Sequence, residues 1–229
     1  MTYHVHHGDC LTVMPQLAAE SIDAIVTDPP YGIDFQSARR TASERMDKIA
    51  NDKTPFTAWL PDSYRLAKPT AALICFCRWD VAEEFRLAIL ASGWDIKSQV
   101  IWDRLNHGTG DLKASFGPRH DAIWFAIKGD FAFPWKRPAS VLPFERIGGE
   151  QLIHPNQKPK ALMEYLCRVV CPKGGTVLDP FTGSGATGEG ALAAHCNFVG
   201  IELSADYAAM ASRRIAQSDP VGEQTILFA

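Results

Sequence analysis

The sequence lacks the features that mark several large classes of protein. It has no apolar run of the roughly 18 residues that a membrane-spanning helix needs, and its first ten residues, MTYHVHHGDC, lack the basic and then apolar pattern of a signal peptide. It also has no internal repeat and no low-complexity segment. These absences predict a folded, cytoplasmic protein that does not contact a membrane.

Metal-binding and redox motifs are missing as well. The six cysteines, none of which forms a CxxC pair, are Cys10, Cys75, Cys77, Cys167, Cys171 and Cys196. The two closest pairs are two and four residues apart, which places each pair on one face of a strand or helix. Three histidines within the first seven residues are not followed by a matching set of ligands. We expect buried structural thiols and no metal site.

Charge gives only a weak indication of a partner. The net charge of -3 does not by itself point to nucleic acid. Residues 32–70 carry seven Lys/Arg against five Asp/Glu, and residues 103–160 carry nine against six. Two mildly basic stretches between acidic ones fit a single basic face, although ordinary solvated charge accounts for them equally well.

Short apolar runs alternate with helical patterns along most of the 229 residues. The strand candidates are residues 4–7, 22–27, 71–77, 97–102, 121–127, 175–179 and 197–202. The helical patterns are residues 11–20, 55–67, 80–92, 159–170, 185–195 and 204–217. Most strand candidates are continuous apolar runs, which suits strands covered on both faces. The sequence predicts one α/β domain whose seven-stranded, mostly parallel sheet has helices on both faces.

Two regions do not fit this alternation. Residues 32–54 are polar, and residues 128–158 are rich in proline and aromatic side chains. Loops of this length inside a compact domain are usually functional. We therefore interpret both as lids or binding loops.

The stretch IVTDPPYGIDF, residues 25–35, places an acid, two prolines and an aromatic directly after a buried strand. Proline cannot donate to a sheet ladder and fixes its own φ, so the chain is stiff as it leaves the sheet. Asp28 and Tyr31 are therefore held in a rigid frame at the end of a strand. This is where open α/β sheets bind their ligands.

A second motif, TVLDPFTGSGATGEGALAA, reads as strand, glycine turn and helix, and Glu202 ends the strand that follows. Glycines let the backbone approach a cofactor, and an acid at that place accepts hydrogen bonds from ribose hydroxyls. Only 27 residues follow Glu202, too few for the rest of a dehydrogenase fold. The remaining strands must come from earlier in the chain, which argues against a nucleotide-dependent oxidoreductase.

With these two motifs in place, the sequence resembles the S-adenosylmethionine-dependent DNA amino-methyltransferases, which methylate N6 of adenine or N4 of cytosine. DPPY matches their catalytic motif, LDPFTGSGAT their cofactor loop, and GDCL (8–11) and HPNQKP (154–159) two shorter segments. The catalytic motif precedes the cofactor loop, as in the circularly permuted β-type branch. The resemblance covers most of the chain and implies the Rossmann-like fold of these enzymes in one domain, residues 1–229.

The resemblance also implies roles for single residues. The catalytic residues would be Asp28, Pro29, Pro30 and Tyr31. The cofactor-binding residues would be Asp9, Asp28, Asn156, Lys158, Asp179, Phe181, Gly183, Gly185 and Glu202. Residues that would hold DNA phosphates are Arg39, Arg40, Arg45 and Lys48 in the first loop and Lys136 and Arg137 in the second. Arg104, Asn106 and His107 follow a central strand and would line the base pocket.

The implied reaction explains the residue types in DPPY. An exocyclic amine is a poor nucleophile because its lone pair is delocalised into the ring. A carboxylate at Asp28 and the carbonyl of Pro29 would accept both N–H groups and localise that lone pair. Tyr31 would provide a flat face for a base flipped out of the duplex. The expected activity is site-specific methylation of adenine N6 in double-stranded DNA, with S-adenosyl-L-methionine as cofactor.

Other readings share parts of this pattern. Methylation of cytosine N4 uses the same chemistry, but serine is commoner than aspartate before PPY in those enzymes. An RNA amino-methyltransferase or a non-catalytic S-adenosylmethionine sensor also fits the cofactor loop, although a sensor has no need of both Asp28 and Tyr31. A homodimer and a cognate restriction endonuclease are further partners that the resemblance allows.

Overall fold

The computed structural model describes residues 1–32, 55–108, 113–148 and 157–218. Within them an eight-stranded sheet runs through the molecule in the order β1-β8-β7-β2-β3-β5-β4-β6. The strands are β1 (Tyr3–His7), β2 (Ile22–Thr27), β3 (Ala67–Cys77), β4 (Asp95–Asp103), β5 (His120–Ile127), β6 (Val141–Pro143), β7 (Thr176–Asp179) and β8 (Asn197–Glu202). Only β5 among them runs antiparallel to its neighbours, β3 and β4. The predicted α/β class with a mostly parallel sheet is confirmed.

The eighth strand corrects the predicted count of seven. β6 lies inside the region interpreted as a loop, residues 128–158, and pairs parallel with residues 101–103 of β4. A strand of three residues is too short to show a hydrophobic period. Its last residue is proline, which is tolerated because β6 lies at the edge of the sheet.

Helices cover both faces of the sheet, as the alternation predicted. They are α1 (Cys10–Val13), α2 (Leu60–Leu66), α3 (Ala82–Ala91), α4 (Lys160–Val170), α5 (Ala186–Ala193) and α6 (Ala205–Ser218), with a 3-10 turn at Met14–Gln16. None of the helices in the described ranges is long and apolar enough to cross a membrane.

Alternate residues of the central strands feed two separate cores. Val26 of β2 faces a core that contains the buried side chains of α4, α5 and α6. Its neighbour Ile25 faces a second core with residues of α2 and α3. Burial on both faces explains why these strands appear in the sequence as continuous apolar runs. Each core removes a large apolar area from water, which is the main force that holds the sheet between its helices.

Small residues let α5 approach α4 closely. A Cβ atom at Gly190 would lie 2.6 Å from the backbone nitrogen of Glu164 and 2.6 Å from the carbonyl carbon of Met163. Backbone atoms in a packed helix cannot move aside as the end of a flexible side chain can. Gly190 is therefore required by packing, although glycine is a poor helix former.

Gly190→Ala is expected to destabilise the protein by about 1–3 kcal/mol, since the clash outweighs the better helix propensity of alanine. Urea unfolding followed by circular dichroism measures the change. Gly148→Ala is the matched control, because a Cβ there meets no described atom within 4 Å. It should stay within about 0.5 kcal/mol of the parent. A Gly190→Ala variant as stable as the parent would contradict this packing argument.

Candidate active site

Four parallel strands bring polar residues to one side of the sheet, which we call the carboxyl edge. β1, β8, β7 and β2 are neighbours and run in the same direction. Asp9 follows β1, Glu202 ends β8, Asp179 ends β7 and Asp28 follows β2. Residues separated by up to 193 positions in sequence therefore lie along a single edge. The carboxyl edge is the ligand-binding side of open α/β sheets.

Asp179 is the most deeply buried of these acids, with an exposed fraction of 2%. Its Oδ1 accepts hydrogen bonds from the Thr27 hydroxyl (2.6 Å) and the Phe181 backbone N–H (3.0 Å). Its Oδ2 accepts one from the Thr187 hydroxyl (2.5 Å). Burial raises the pKa of Asp179 from its ordinary 3.8 to about 6, and these hydrogen bonds oppose that rise. Asp179 thereby joins β2, the glycine turn and α5.

Glu202 shapes the turn on which a cofactor would lie. Its Oε2 accepts from the backbone N–H of Gly183 (2.9 Å), and its Oε1 accepts from that of Ser204 (2.8 Å). The Glu202 carbonyl also accepts from the N–H of Gly8 (2.9 Å), beside Asp9. Each carboxylate oxygen has a second lone pair, so the side chain can still accept hydrogen bonds from a ligand.

The glycine turn needs its glycines. Gly183 and Gly185 have φ of 52° and 87°, in the left-handed region that side chains disfavour. At Gly185 a Cβ would also lie 3.0 Å from the Cα of Ala211 on α6. Gly185 is the N-cap of α5, so the turn presents backbone N–H groups at the start of a helix. This is the backbone arrangement expected of a cofactor loop.

Phe181 lies in the same turn but packs inward. Its ring makes edge-on contacts with Phe56 (5.8 Å between centroids) and Trp59 (5.5 Å). Asp9, in turn, caps α1 and accepts a hydrogen bond from the backbone N–H of Leu11 at 2.9 Å. Both residues stand at the carboxyl edge and both have a structural role there.

The DPPY segment is held by contacts with residues 55 and 56 and by a hydrogen bond within the segment. The Pro30 carbonyl accepts a hydrogen bond from the N–H of Phe56 (3.1 Å), and Tyr31 forms an isolated bridge with Pro55. The Tyr31 hydroxyl donates to Oδ1 of Asp28. Burial, and then the Asp28 carboxylate, raise the pKa of Tyr31 well above its ordinary value. Tyr31 is thus a neutral donor to Asp28 at any physiological pH.

The Tyr31 ring packs edge-on against the ring of Phe85, with 6.3 Å between the two ring centroids. Lys158 is the second group that contacts the Asp28 carboxylate, and its ammonium donates to Oδ2. The resemblance implied a cofactor-binding role for Lys158, and the structure places its charge on Asp28. Asp28 thus binds a neutral donor on one oxygen and a cation on the other.

The sequence analysis did not identify three residues that support the site. Thr27 and Thr187 hold the two oxygens of Asp179, and the ring of Phe76 lies beneath the Lys158 ammonium, 4.9 Å from it. A threonine at the end of an otherwise apolar strand is a signal for Thr27. No comparable signal marks Phe76, which reads as an ordinary core residue.

The other predicted contacts divide into three groups. Arg39, Arg40, Arg45, Lys48 and Asn156 lie outside the described residues. Lys136 and Arg137 are exposed, and no hydrogen bond or ion pair within the described ranges joins them to the site residues. Arg104 forms an ion pair with Asp121 at 3.5 Å, and Asn106 and His107 are exposed just beyond it.

The arrangement suits recognition of an amine beside a bound nucleoside. Asp28 offers a fixed carboxylate that can accept N–H hydrogen bonds, and Glu202 offers acceptors for a diol. The glycine turn lies between them in space, because β7 separates β2 from β8. A methyl donor held on this turn and an amine held at Asp28 would therefore meet at neighbouring strand ends.

Comparisons with known proteins agree with this geometry. A family model described as DNA methylase, and named for N6 and N4 transfer, matches residues 22–213. YubD of Escherichia coli (strain K12), which is named as a methylase, is 31% identical over 214 residues, covering 91% of this chain and 88% of YubD. The DNA adenine methyltransferase YhdJ of the same strain is 27% identical over 249 residues, covering 91% of this chain and 81% of YhdJ.

A solved structure shares the fold. The crystal structure of the M1.HpyAVI-SAM complex superposes with a TM-score of 0.73 at 23% identity, covering 93% of this chain and 99% of that one. The agreement extends over nearly the whole length of both chains. The fold described above is therefore that of a known group of structures.

Asp179 makes stability depend on pH. Its folded-state pKa of about 6 exceeds the ordinary 3.8, so the folded protein holds this proton more tightly than the unfolded chain. Its contribution to the free energy of unfolding is therefore complete below about pH 4 and is lost as pH rises through 6, by up to about 3 kcal/mol. The stability of the parent relative to Asp179→Asn should fall by that order between pH 4 and pH 7.

Urea unfolding of both proteins across this pH range measures the difference. Asp130→Asn, which changes an exposed acid, serves as the control and should show no comparable slope. A parent-minus-variant difference that is flat with pH, or that rises with pH, would contradict the assignment to Asp179.

Proposed function

We propose that this chain, which belongs to the N6/N4 DNA methylase family, transfers a methyl group from S-adenosylmethionine to the N6 amine of a flipped adenine in duplex DNA. The observation that carries the proposal is the junction of β2 and β7. The hydrogen bond from Thr27 to Asp179 ties the strand that leads to DPPY to the strand that leads to the glycine turn. The amine acceptor and the cofactor loop are thereby fixed relative to each other.

The residues at the carboxyl edge fit S-adenosylmethionine. Glu202 retains free lone pairs toward a ribose, and the left-handed turn at Gly183 and Gly185 lets a ligand approach the backbone closely. When bound, the cofactor supplies a methyl group on a sulfonium, which reacts without prior activation. Asp9 would reach the adenine end of the cofactor and Asn156 would bound the pocket.

The protein's part in the reaction is to prepare the amine. Asp28 accepts one N–H hydrogen bond and the Pro29 carbonyl accepts the other, which localises the nitrogen lone pair. The N–C bond forms as the C–S bond breaks, so the electron pair of the C–S bond leaves with sulfur. The methylated nitrogen then carries a positive charge and loses one proton to water. Orientation of the two reactants is the main contribution of the site.

Two observations favour adenine over cytosine. The residue before PPY is aspartate, as is common in the adenine enzymes that the sequence resembles. The relative YhdJ is named as an adenine methyltransferase. Cytosine N4 requires the same acceptors and the same cofactor, so it is the alternative substrate that the experiment must distinguish.

Methyl transfer to DNA is the first test. The purified protein is incubated with S-adenosylmethionine and unmethylated DNA, the DNA is digested to nucleosides, and the modified base is identified by mass spectrometry. We expect N6-methyladenine, and a loss of about 10³-fold in rate for Asp28→Ala because the amine loses its principal acceptor. Glu84→Ala, at an exposed acid on α3 outside both predicted binding loops, should retain the parent rate.

The possible products separate the alternatives. N4-methylcytosine would keep the mechanism and overturn the choice of base. Methylation of RNA alone would overturn the choice of polymer. Cofactor binding with no methyl transfer to any nucleic acid would indicate a sensor rather than an enzyme.

Glu202 provides a separate test of the cofactor site. Glu202→Gln should raise the Kd for S-adenosylmethionine by about 10- to 100-fold, since a hydrogen bond to a charged acceptor contributes about 1.5–3 kcal/mol. Isothermal titration calorimetry measures the Kd. Glu83→Gln, at an exposed acid on α3, is the control. An unchanged Kd for Glu202→Gln would remove the ribose role.

A further inference from the structure

The contact between Lys158 and Asp28 is poorly accessible to water. The two side chains are 11% and 17% exposed, and the ammonium donates to Oδ2 of the carboxylate. Charges withdrawn from water are costly unless they are paired. The two groups therefore stabilise each other, and removal of either leaves the other buried without its partner.

Lys158 is held firmly enough to act as a fixed charge. The next residue, Pro159, is buried and forms the N-cap of α4, and its carbonyl accepts from the N–H of Met163 at 3.1 Å. Helix α4 is anchored by buried side chains such as Leu162 and Leu166. Lys158 lies only two residues before the start of α4, so the anchored helix restricts the backbone of Lys158.

An aromatic ring fixes the path of the Lys158 side chain. The ammonium lies 4.9 Å from the centre of the Phe76 ring, and Phe76 is fully buried in β3. A cation over an aromatic face is attracted by the ring quadrupole. Lys158 therefore crosses the end of β3 to reach Asp28, which follows the neighbouring strand β2.

The surroundings of Asp28 are acidic. Burial raises the pKa of Asp179, Cys75 and Cys77, and in each case the Asp28 charge adds to the rise. Asp121 contributes to the raised pKa of Tyr31 and Cys77, and is itself paired with Arg104. Lys158 brings a positive charge to the Asp28 carboxylate in this acidic neighbourhood.

We propose that Lys158 is a positioning residue that holds Asp28 as an oriented acceptor for the target amine. A carboxylate has about four lone-pair sites. Tyr31 occupies one on Oδ1 and Lys158 one on Oδ2, so the plane of the carboxylate is fixed and its remaining lone pairs face a constant direction. This role rests on the proposed function and replaces the cofactor contact that the resemblance implied for Lys158.

The test separates the rate of methyl transfer from cofactor affinity. Lys158→Met keeps the length and apolar stem of the side chain and removes the charge. We expect its kcat, at saturating DNA and cofactor, to fall about 100-fold, while its Kd for S-adenosylmethionine stays within about threefold of the parent. Lys158→Arg, which keeps the charge, should recover most of the lost rate. Lys160→Met, at an exposed lysine two residues away, should behave as the parent.

A second measurement guards against misfolding. Lys158→Ala leaves space for a small cation, and propylammonium added to this variant should restore part of kcat in proportion to its concentration. Tetramethylammonium, which cannot donate a hydrogen bond, should not. Restoration by an added amine requires a folded site, and it distinguishes a missing charge from a general loss of structure.

Each outcome bears on a different claim. A Lys158→Met variant that keeps the kcat of the parent would overturn the positioning role. If the Kd of this variant for S-adenosylmethionine also rose more than tenfold, the result would assign Lys158 to the cofactor site instead. Failure of both arginine and propylammonium to restore activity would also overturn the positioning role. Absence of methyl transfer by the parent protein would overturn the proposed function, and this role with it.

Discussion

The buried carboxylate of Asp179 is the interaction on which the site depends. It receives hydrogen bonds from Thr27 at the end of β2, from Thr187 in α5, and from the backbone of the glycine turn. Burying a polar group is costly unless it is hydrogen-bonded, so the three elements must meet at this point for the carboxylate to be tolerated. The position of DPPY relative to the glycine turn is therefore a consequence of folding.

This design concentrates acids at one edge of the sheet. Asp28 and Asp121 both contribute to the raised pKa of Tyr31 and of Cys77, and the Asp28 charge also contributes to the raised pKa of Asp179. Two basic residues offset them, since Lys158 contacts Asp28 and Arg104 pairs with Asp121. Asp179 has hydroxyl partners instead, and burial raises its pKa although those hydrogen bonds oppose the rise. The same edge thus holds one carboxylate that is paired with a cation, Asp28, and one that accepts hydrogen bonds from hydroxyl groups, Asp179.

Much of the fold follows from local sequence. Burial on both faces produces the continuous apolar run of β3, and turn geometry produces the strand–glycine–helix order around β7. Both patterns are visible in a single sequence. The strand β6 is not, because three residues at a sheet edge show no period. The two sequence motifs also identified Asp28 and Glu202, because the ligands that these residues would bind require an acidic side chain.

Long-range contacts are the part that sequence cannot supply. Lys158 lies 130 positions from Asp28 in the sequence, and no local sequence pattern indicates which acidic side chain its ammonium contacts. The resemblance placed it at the cofactor because it lies in the HPNQKP segment. The packing of α4 against β2 and β3 and the position of Phe76 direct it to the carboxylate of Asp28.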